Sequence, residues 1–94
     1  MTEANDRETM LRRLRIRSWR RGIKEMDLIL GAYADHRLAD LDDETVALYQ
    51  QMLLENDQDL YQWVSGQAPA PPLYADLIAD IAAHMAEHVR RGVA

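Results

Sequence analysis

The chain has 94 residues, no cysteine and a formal net charge of −5, and hydrophobic residues make up 48% of it. That length supports one domain with a single core, and the missing cysteines exclude disulfides, thiolate chemistry and cysteine-ligated metal. The charge is uneven: residues 7–24 hold eight of the eleven basic residues and one acid, whereas the remainder is strongly acidic, an asymmetry that points to partner contacts.

Residues 1–6 read as frayed. They lack the apolar stretch of a secretory signal, and Glu3, Asp6 and Glu8 bring more acid than a mitochondrial presequence carries, so a cytoplasmic protein is expected. The spacing predicts a first helix over 7–17, with Met10, Leu11 and Leu14 as its apolar stripe, and a second over 21–35, with Ile23, Met26, Leu30 and Tyr33 on one face. Asp42 is placed to cap a third helix, and Leu41 to staple onto Val46. That helix should bury Val46, Tyr49, Met52 and Leu53. Asn56 or Asp57 then opens a short fourth helix through Leu60, Trp63 and Val64, stopped at Gly66. Ala68 to Pro72 form a stiff connector, since each proline fixes φ and lacks a donor. Pro72 is expected to begin a fifth helix that runs to about Arg91, turns Tyr74, Leu77, Ile78, Ile81 and Met85 inward, and closes at Gly92. No alternating strand, hairpin signal, internal repeat or membrane-length apolar run is present. The expected fold is all-α: a compact five-helix bundle, a single domain over residues 1–94, whose first helix could be partly detached.

Enzyme templates are missing. There is no glycine-rich phosphate loop, and neither of the two serines, Ser18 and Ser65, lies in a nucleophile elbow. His84, Glu87 and His88 match the zinc-peptidase pattern H-x-x-E-H, but a third ligand and a substrate cleft are wanting. No catalytic metal is expected, and adventitious binding by the histidine pair is left open. Arg12, Arg13 and Arg15, with Trp19 between Arg17 and Arg20, could hold nucleic acid, yet the acidic remainder would repel phosphate. The acid clusters Asp42-Asp43-Glu44 and Asp57-Gln58-Asp59 are explained by helix capping.

The least explained stretch is Arg20-Arg21-Gly22-Ile23-Lys24-Glu25. Glycine inside a helix costs about 1 kcal/mol relative to alanine, and its usual reason is close approach of another group. On a helix Arg21 and Glu25 would share a face, but that pair contributes only about 0.3–0.5 kcal/mol and does not account for the glycine. A small charged contact surface with a notch is the better account.

These residues also carry a family likeness. Arg21, Gly22 and Glu25 form Arg-Gly-x-x-Glu, preceded by Arg20, and farther on stand Leu41-Asp42-Asp43-Glu44 and Leu53-Leu54-Glu55-Asn56-Asp57-Gln58-Asp59-Leu60-Tyr61-Gln62-Trp63. Over roughly residues 12–72 the chain resembles the SdhE family, the succinate dehydrogenase assembly factors also called flavinators. The resemblance implies a small helical protein that binds the flavoprotein subunit of succinate dehydrogenase, and in bacteria often that of fumarate reductase. It implies that the protein promotes covalent attachment of that subunit's FAD to one of the subunit's own histidines. Arg20, Arg21, Gly22 and Glu25 would then be the docking face. The chain itself would be no enzyme, a monomer when free, with no metal, no cofactor of its own and no nucleic-acid or membrane partner. The competing expectation is a nucleic-acid-binding or antitoxin-like regulator that uses the basic segment.

Overall fold

Residues 3–90 are described by a computed structural model. They form α1 (Glu3–Trp19), α2 (Lys24–Arg37), a single 3-10 turn (Leu38–Asp40), α3 (Asp43–Met52), α4 (Asp57–Ser65) and α5 (Ala75–Arg90). Among the described residues there is no strand, and the fold is the expected five-helix bundle.

Helix ends with their own chemistry fall where the sequence places them. The Asp42 side chain accepts from the Thr45 N–H at 2.8 Å, and Asn56 caps α4 by accepting from the Gln58 N–H at 2.8 Å. These bonds satisfy donors that the first helical turn leaves unpaired, and hydrogen bonding from Thr45 holds the Asp42 carboxyl below the usual carboxylate range. Gly66 ends α4 in the left-handed region at φ 82°, where a Cβ would be strained.

Four expectations need correction. Helix α1 starts at Glu3 rather than residue 7, so residues 3–6 are helical; Met1 and Thr2 lie outside the described residues. The guanidinium of Arg7 donates to the Asp43 carboxylate and, at 2.6 Å, to the Leu41 carbonyl, which pins this early turn to the start of α3. The first helix is not detached either, because Leu11, Leu14 and Ser18 are buried. Helix α2 begins at Lys24 rather than Arg21: Ile23 stands at its N-cap in an extended conformation, and Arg20 to Gly22 form the turn before it. Helix α5 begins at Ala75, after a turn in which the Tyr74 N–H donates to the Pro71 carbonyl at 2.9 Å. Its expected end at Arg91 and Gly92 lies outside the described residues.

Helix α2 is the central element and packs against α1, α4 and α5. The core holds Met26, Leu30 and Tyr33 from α2, Val46, Tyr49 and Met52 from α3, Leu60 and Val64 from α4, and Leu77, Ile78 and Ile81 from α5. Ile23, Trp63 and Met85 pack against it half-buried. One polar group sits inside: Ser18 Oγ donates to the Leu14 carbonyl at 2.7 Å and accepts from the Tyr49 hydroxyl at 2.6 Å. Burial at this site pushes the Tyr49 hydroxyl up to about 12.

Candidate functional site

The turn between α1 and α2 is fixed from below. Arg21 reaches inward, and its guanidinium donates from Nε to Asp57 Oδ1 at 2.7 Å, from Nη1 to the Leu53 carbonyl at 2.8 Å and from Nη2 to the Glu55 carbonyl at 3.1 Å. Leu53 and Glu55 lie just after α3, where helix geometry leaves carbonyls unpaired, so this one side chain closes α3 and joins it to α4. The Arg21 and Asp57 side chains keep only 11% and 14% of their surface exposed. Asp57 Oδ2 accepts the Gly22 N–H, and the Arg21 N–H is taken by Asp27 in the first turn of α2.

This arrangement changes the meaning of Gly22. It is not a helix-interior glycine, and the group approaching it belongs to the chain itself. A Cβ there would stand 3.0 Å from Asp57 Oδ2, tight enough to loosen the carboxylate that bridges turn and helix. The Arg21–Glu25 pairing is likewise not made, because Arg21 is off the helix and engaged beneath the turn. Glu25 is exposed in the first turn of α2 and makes no hydrogen bond or ion pair among the described residues, and the Arg20 side chain is exposed beside the turn. So the four sequence-selected residues share one corner but divide into two roles. Arg21 is structural, Gly22 leaves room for Asp57, and Arg20 and Glu25 are displayed.

Next to Glu25 runs a mostly apolar groove of about 510 Å³, lined by Trp19, Leu28, Ile29, Ala32, Tyr61 and Met85 among others. Leu28 is 53% exposed there. Trp19 is shaped to this wall rather than free to stack on a base. Its indole lies over Gly31, where a Cβ would come within 2.2 Å of the ring, and Nε1 donates to Asp35 Oδ2 at 3.2 Å. Gly31 is therefore the helix-interior glycine with a close-approach reason. Sequence reading missed it, and also missed Asp57 as a clamp. The available signal was a glycine in mid-helix twelve positions after a tryptophan.

The H-x-x-E-H pair also gains a member. His84 and His88 stack on one face of α5 with ring centres 5.8 Å apart, and His36 of α2 meets His84 through Nδ1 and Nε2 at 2.9 Å. Burial, then His36, His88 and Arg37, lower the His84 pKa below its ordinary value. As they stand, no three His, Asp or Glu side chains among the described residues gather to hold a metal ion.

A small all-helical domain that displays a rigidly held charged corner beside an apolar groove has the build of a protein-docking module. The family described as "Flavinator of succinate dehydrogenase" matches residues 12–85, and the chain belongs to that family. It is 36% identical over 80 residues to "Succinate dehydrogenase assembly factor 2, mitochondrial" of Drosophila grimshawi, covering 83% of this chain and 52% of that protein. The protein so named from Aspergillus terreus is 44% identical over 64 residues, covering 68% of this chain and 22% of its own length. That of Drosophila virilis is 34% identical over 84 residues, covering 87% and 51%. The chain thus spans about half the length, or less, of these relatives. No solved structure matches it. The nucleic-acid and antitoxin expectation finds no support in these likenesses. Among the described residues no helix is long and apolar enough to cross a membrane.

Proposed function

We propose that this protein is an assembly factor that binds the flavoprotein subunit of succinate dehydrogenase and promotes covalent attachment of FAD to it. The observation that carries the reading is the family match over residues 12–85, within which the Arg-Gly-x-x-Glu turn is held by a buried clamp and displays Arg20 and Glu25. A docking residue works best when its backbone is fixed before the partner arrives, because less ordering entropy is then lost on binding. The Arg21–Asp57 clamp supplies that fixing, and Glu25 is left unpaired for a charge-assisted hydrogen bond to the partner. The role is non-catalytic. The domain favours a conformation of the flavoprotein in which flavin and acceptor histidine are aligned, and the bond-forming chemistry stays with the partner and its FAD. The chain needs no cofactor or metal for this and acts as a monomer. The cytoplasmic location expected from the sequence belongs to this proposal, beside relatives whose names are mitochondrial.

The test is co-expression with a succinate dehydrogenase flavoprotein subunit, read by in-gel fluorescence of flavin that survives denaturation. Wild type should raise the signal. Glu25→Ala should fail to do so while keeping its helical circular dichroism and unfolding midpoint, since the exposed Glu25 side chain makes no hydrogen bond or ion pair among the described residues. Equal flavin with the variant would remove Glu25 from the docking face, and no dependence on the wild-type protein would refute the function. The fumarate reductase flavoprotein is assayed in the same way as a second client.

A further inference from the structure

Helix α1 turns Leu11, Leu14 and Ser18 into the core and leaves arginines on its outward side. Arg12 and Ile16 lie one turn apart there, Arg13 and Arg17 form the neighbouring row, and Arg20 follows where the helix ends. Arg12, Arg13 and Arg20 are exposed, Arg17 is half-buried, and Ile16 is 48% exposed. The chain has 16 Asp and Glu residues, yet none of these four arginines makes a side-chain hydrogen bond or ion pair among the described residues. The arginines that the fold pairs are others, Arg7, Arg21 and Arg37. Arg13 and Arg17 are moreover like charges one turn apart, a spacing that weakens a helix slightly. The outward face thus serves no contact inside the fold.

We propose, on the strength of the assembly-factor reading, that this face of α1 is a cationic strip that meets an acidic patch on the client flavoprotein, and that with Glu25, of opposite sign, it sets the orientation in which the two proteins dock. At 1.5 Å per residue, Arg12 to Arg20 spans about 12 Å, room for a few carboxylates on a protein surface. An arginine fork takes a carboxylate through two parallel hydrogen bonds, and Ile16 supplies an apolar contact in the middle of the strip. Arg20 belongs both to the strip and to the turn before α2, so strip and Glu25 corner form one surface. Glu25 requires a donor on the partner and the strip requires acceptors. A partner turned end for end would set like charges against each other.

A bounded acidic patch suits the strip better than a polyanion does. Nucleic acid and an anionic bilayer both extend past α1, and would bring their phosphates up against the acid-rich remainder of the chain. Charges at the edge of an interface act mostly on the rate of encounter, whereas a localised contact such as Glu25 acts on how long the complex lasts.

The experiment measures association and dissociation of the full chain with an immobilised succinate dehydrogenase flavoprotein subunit, from about 30 to 300 mM sodium chloride, for wild type and Arg12→Gln/Arg13→Gln. Ala79→Glu/Ala83→Glu, at exposed positions of α5, shifts the net charge by the same amount and is the control. At low salt the arginine variant should associate about five- to tenfold more slowly, with a flatter salt dependence. Its dissociation should stay within about twofold of wild type and its unfolding midpoint should not move. The control should keep wild-type association within about twofold, and Glu25→Ala should chiefly speed dissociation. Tight binding by wild type with the same association rate and salt dependence in the arginine variant would overturn the strip and leave the assembly-factor reading standing. An equal slowing in the control would reduce the effect to net charge and overturn it as well. Retention on phosphatidylglycerol vesicles that is lost in the arginine variant, with flavoprotein association unchanged, would overturn it in favour of a lipid surface. A wild-type chain that does not bind the flavoprotein at any salt would overturn the strip and the proposed function together.

Discussion

Replacing Asp57 with alanine tests the account of the turn before α2, because that carboxylate alone takes both the Arg21 Nε and the Gly22 N–H. Breaking a buried ion pair by removing one partner costs about 3–5 kcal/mol, since the remaining charge is left without its counter-ion. Arg21 keeps the Leu53 and Glu55 carbonyls and 11% of its side-chain surface in water, so a value just under that range is appropriate, about 2–3 kcal/mol. In a domain of this size each kcal/mol moves the thermal midpoint by roughly 4–8 °C, so a fall of about 10–20 °C is expected. The assay is urea and thermal unfolding of wild type, Asp57→Ala, Arg21→Met and the double variant. The two changes should be strongly non-additive, with a coupling of about 1–3 kcal/mol, because both remove the same contact. By contrast the Arg7–Asp43 pair, in which Asp43 is 91% exposed, should show almost no coupling. An Asp57→Ala midpoint within a few degrees of wild type, together with additive single effects, would refute the clamp.

Two other predictions concern the interior. Gly31→Ala gains about 1 kcal/mol of helix propensity but places a methyl inside the Trp19 ring, so the indole must leave and roughly 2–3 kcal/mol of packing goes with it. Stability should fall by about 1–2 kcal/mol, and in a Trp63→Phe background the emission of Trp19 should move to the red; unchanged emission with a higher midpoint would sink this reading. Alkaline pH should destabilise the fold through Tyr49, whose pKa rises from 10.0 unfolded to about 12 folded, mainly by burial. Its stabilising contribution is complete below pH 10 and is lost as the pH rises to 12, because the unfolded chain ionises first, at about 1.4 kcal/mol per pH unit. Tyr33 is raised in the same direction by burial and Asp80. Urea midpoints between pH 8 and 11 should decline, less steeply in Tyr49→Phe; a flat profile in wild type would contradict the burial argument.

The parts of the fold readable in the sequence are those whose cause is local. Asp42, Asn56 and Gly66 act within a few residues of their own position, and the apolar spacing of α3, α4 and α5 reports the face each turns inward. The turn at Arg20 to Gly22 was not readable, because its cause lies 35 residues away at Asp57. On local propensity alone, Arg21 to Asp35 is a good helix. The same holds for Trp19, whose basic sequence neighbours suggest a ligand surface while its ring is placed by Gly31 and Asp35. His36 could not be joined to His84 and His88 from spacing either, as 48 residues separate the two nitrogens that meet.

A four-letter motif that reads as a docking signature therefore carries two kinds of constraint at once. Arg21 fails as a docking probe because its loss would release α3 from α4 and misplace the whole corner, so inactivity of an Arg21 variant says nothing about contact with a partner. Gly22→Ala has the same ambiguity, since its methyl would press on Asp57. Glu25 and Arg20 are the informative positions, because they make no side-chain bonds in the fold and their removal should leave unfolding unchanged. A loss of flavin attachment in Glu25→Ala with an unaltered midpoint would locate the contact. The same loss in Arg21→Met, accompanied by a lowered midpoint, would show only that the corner must be held in place.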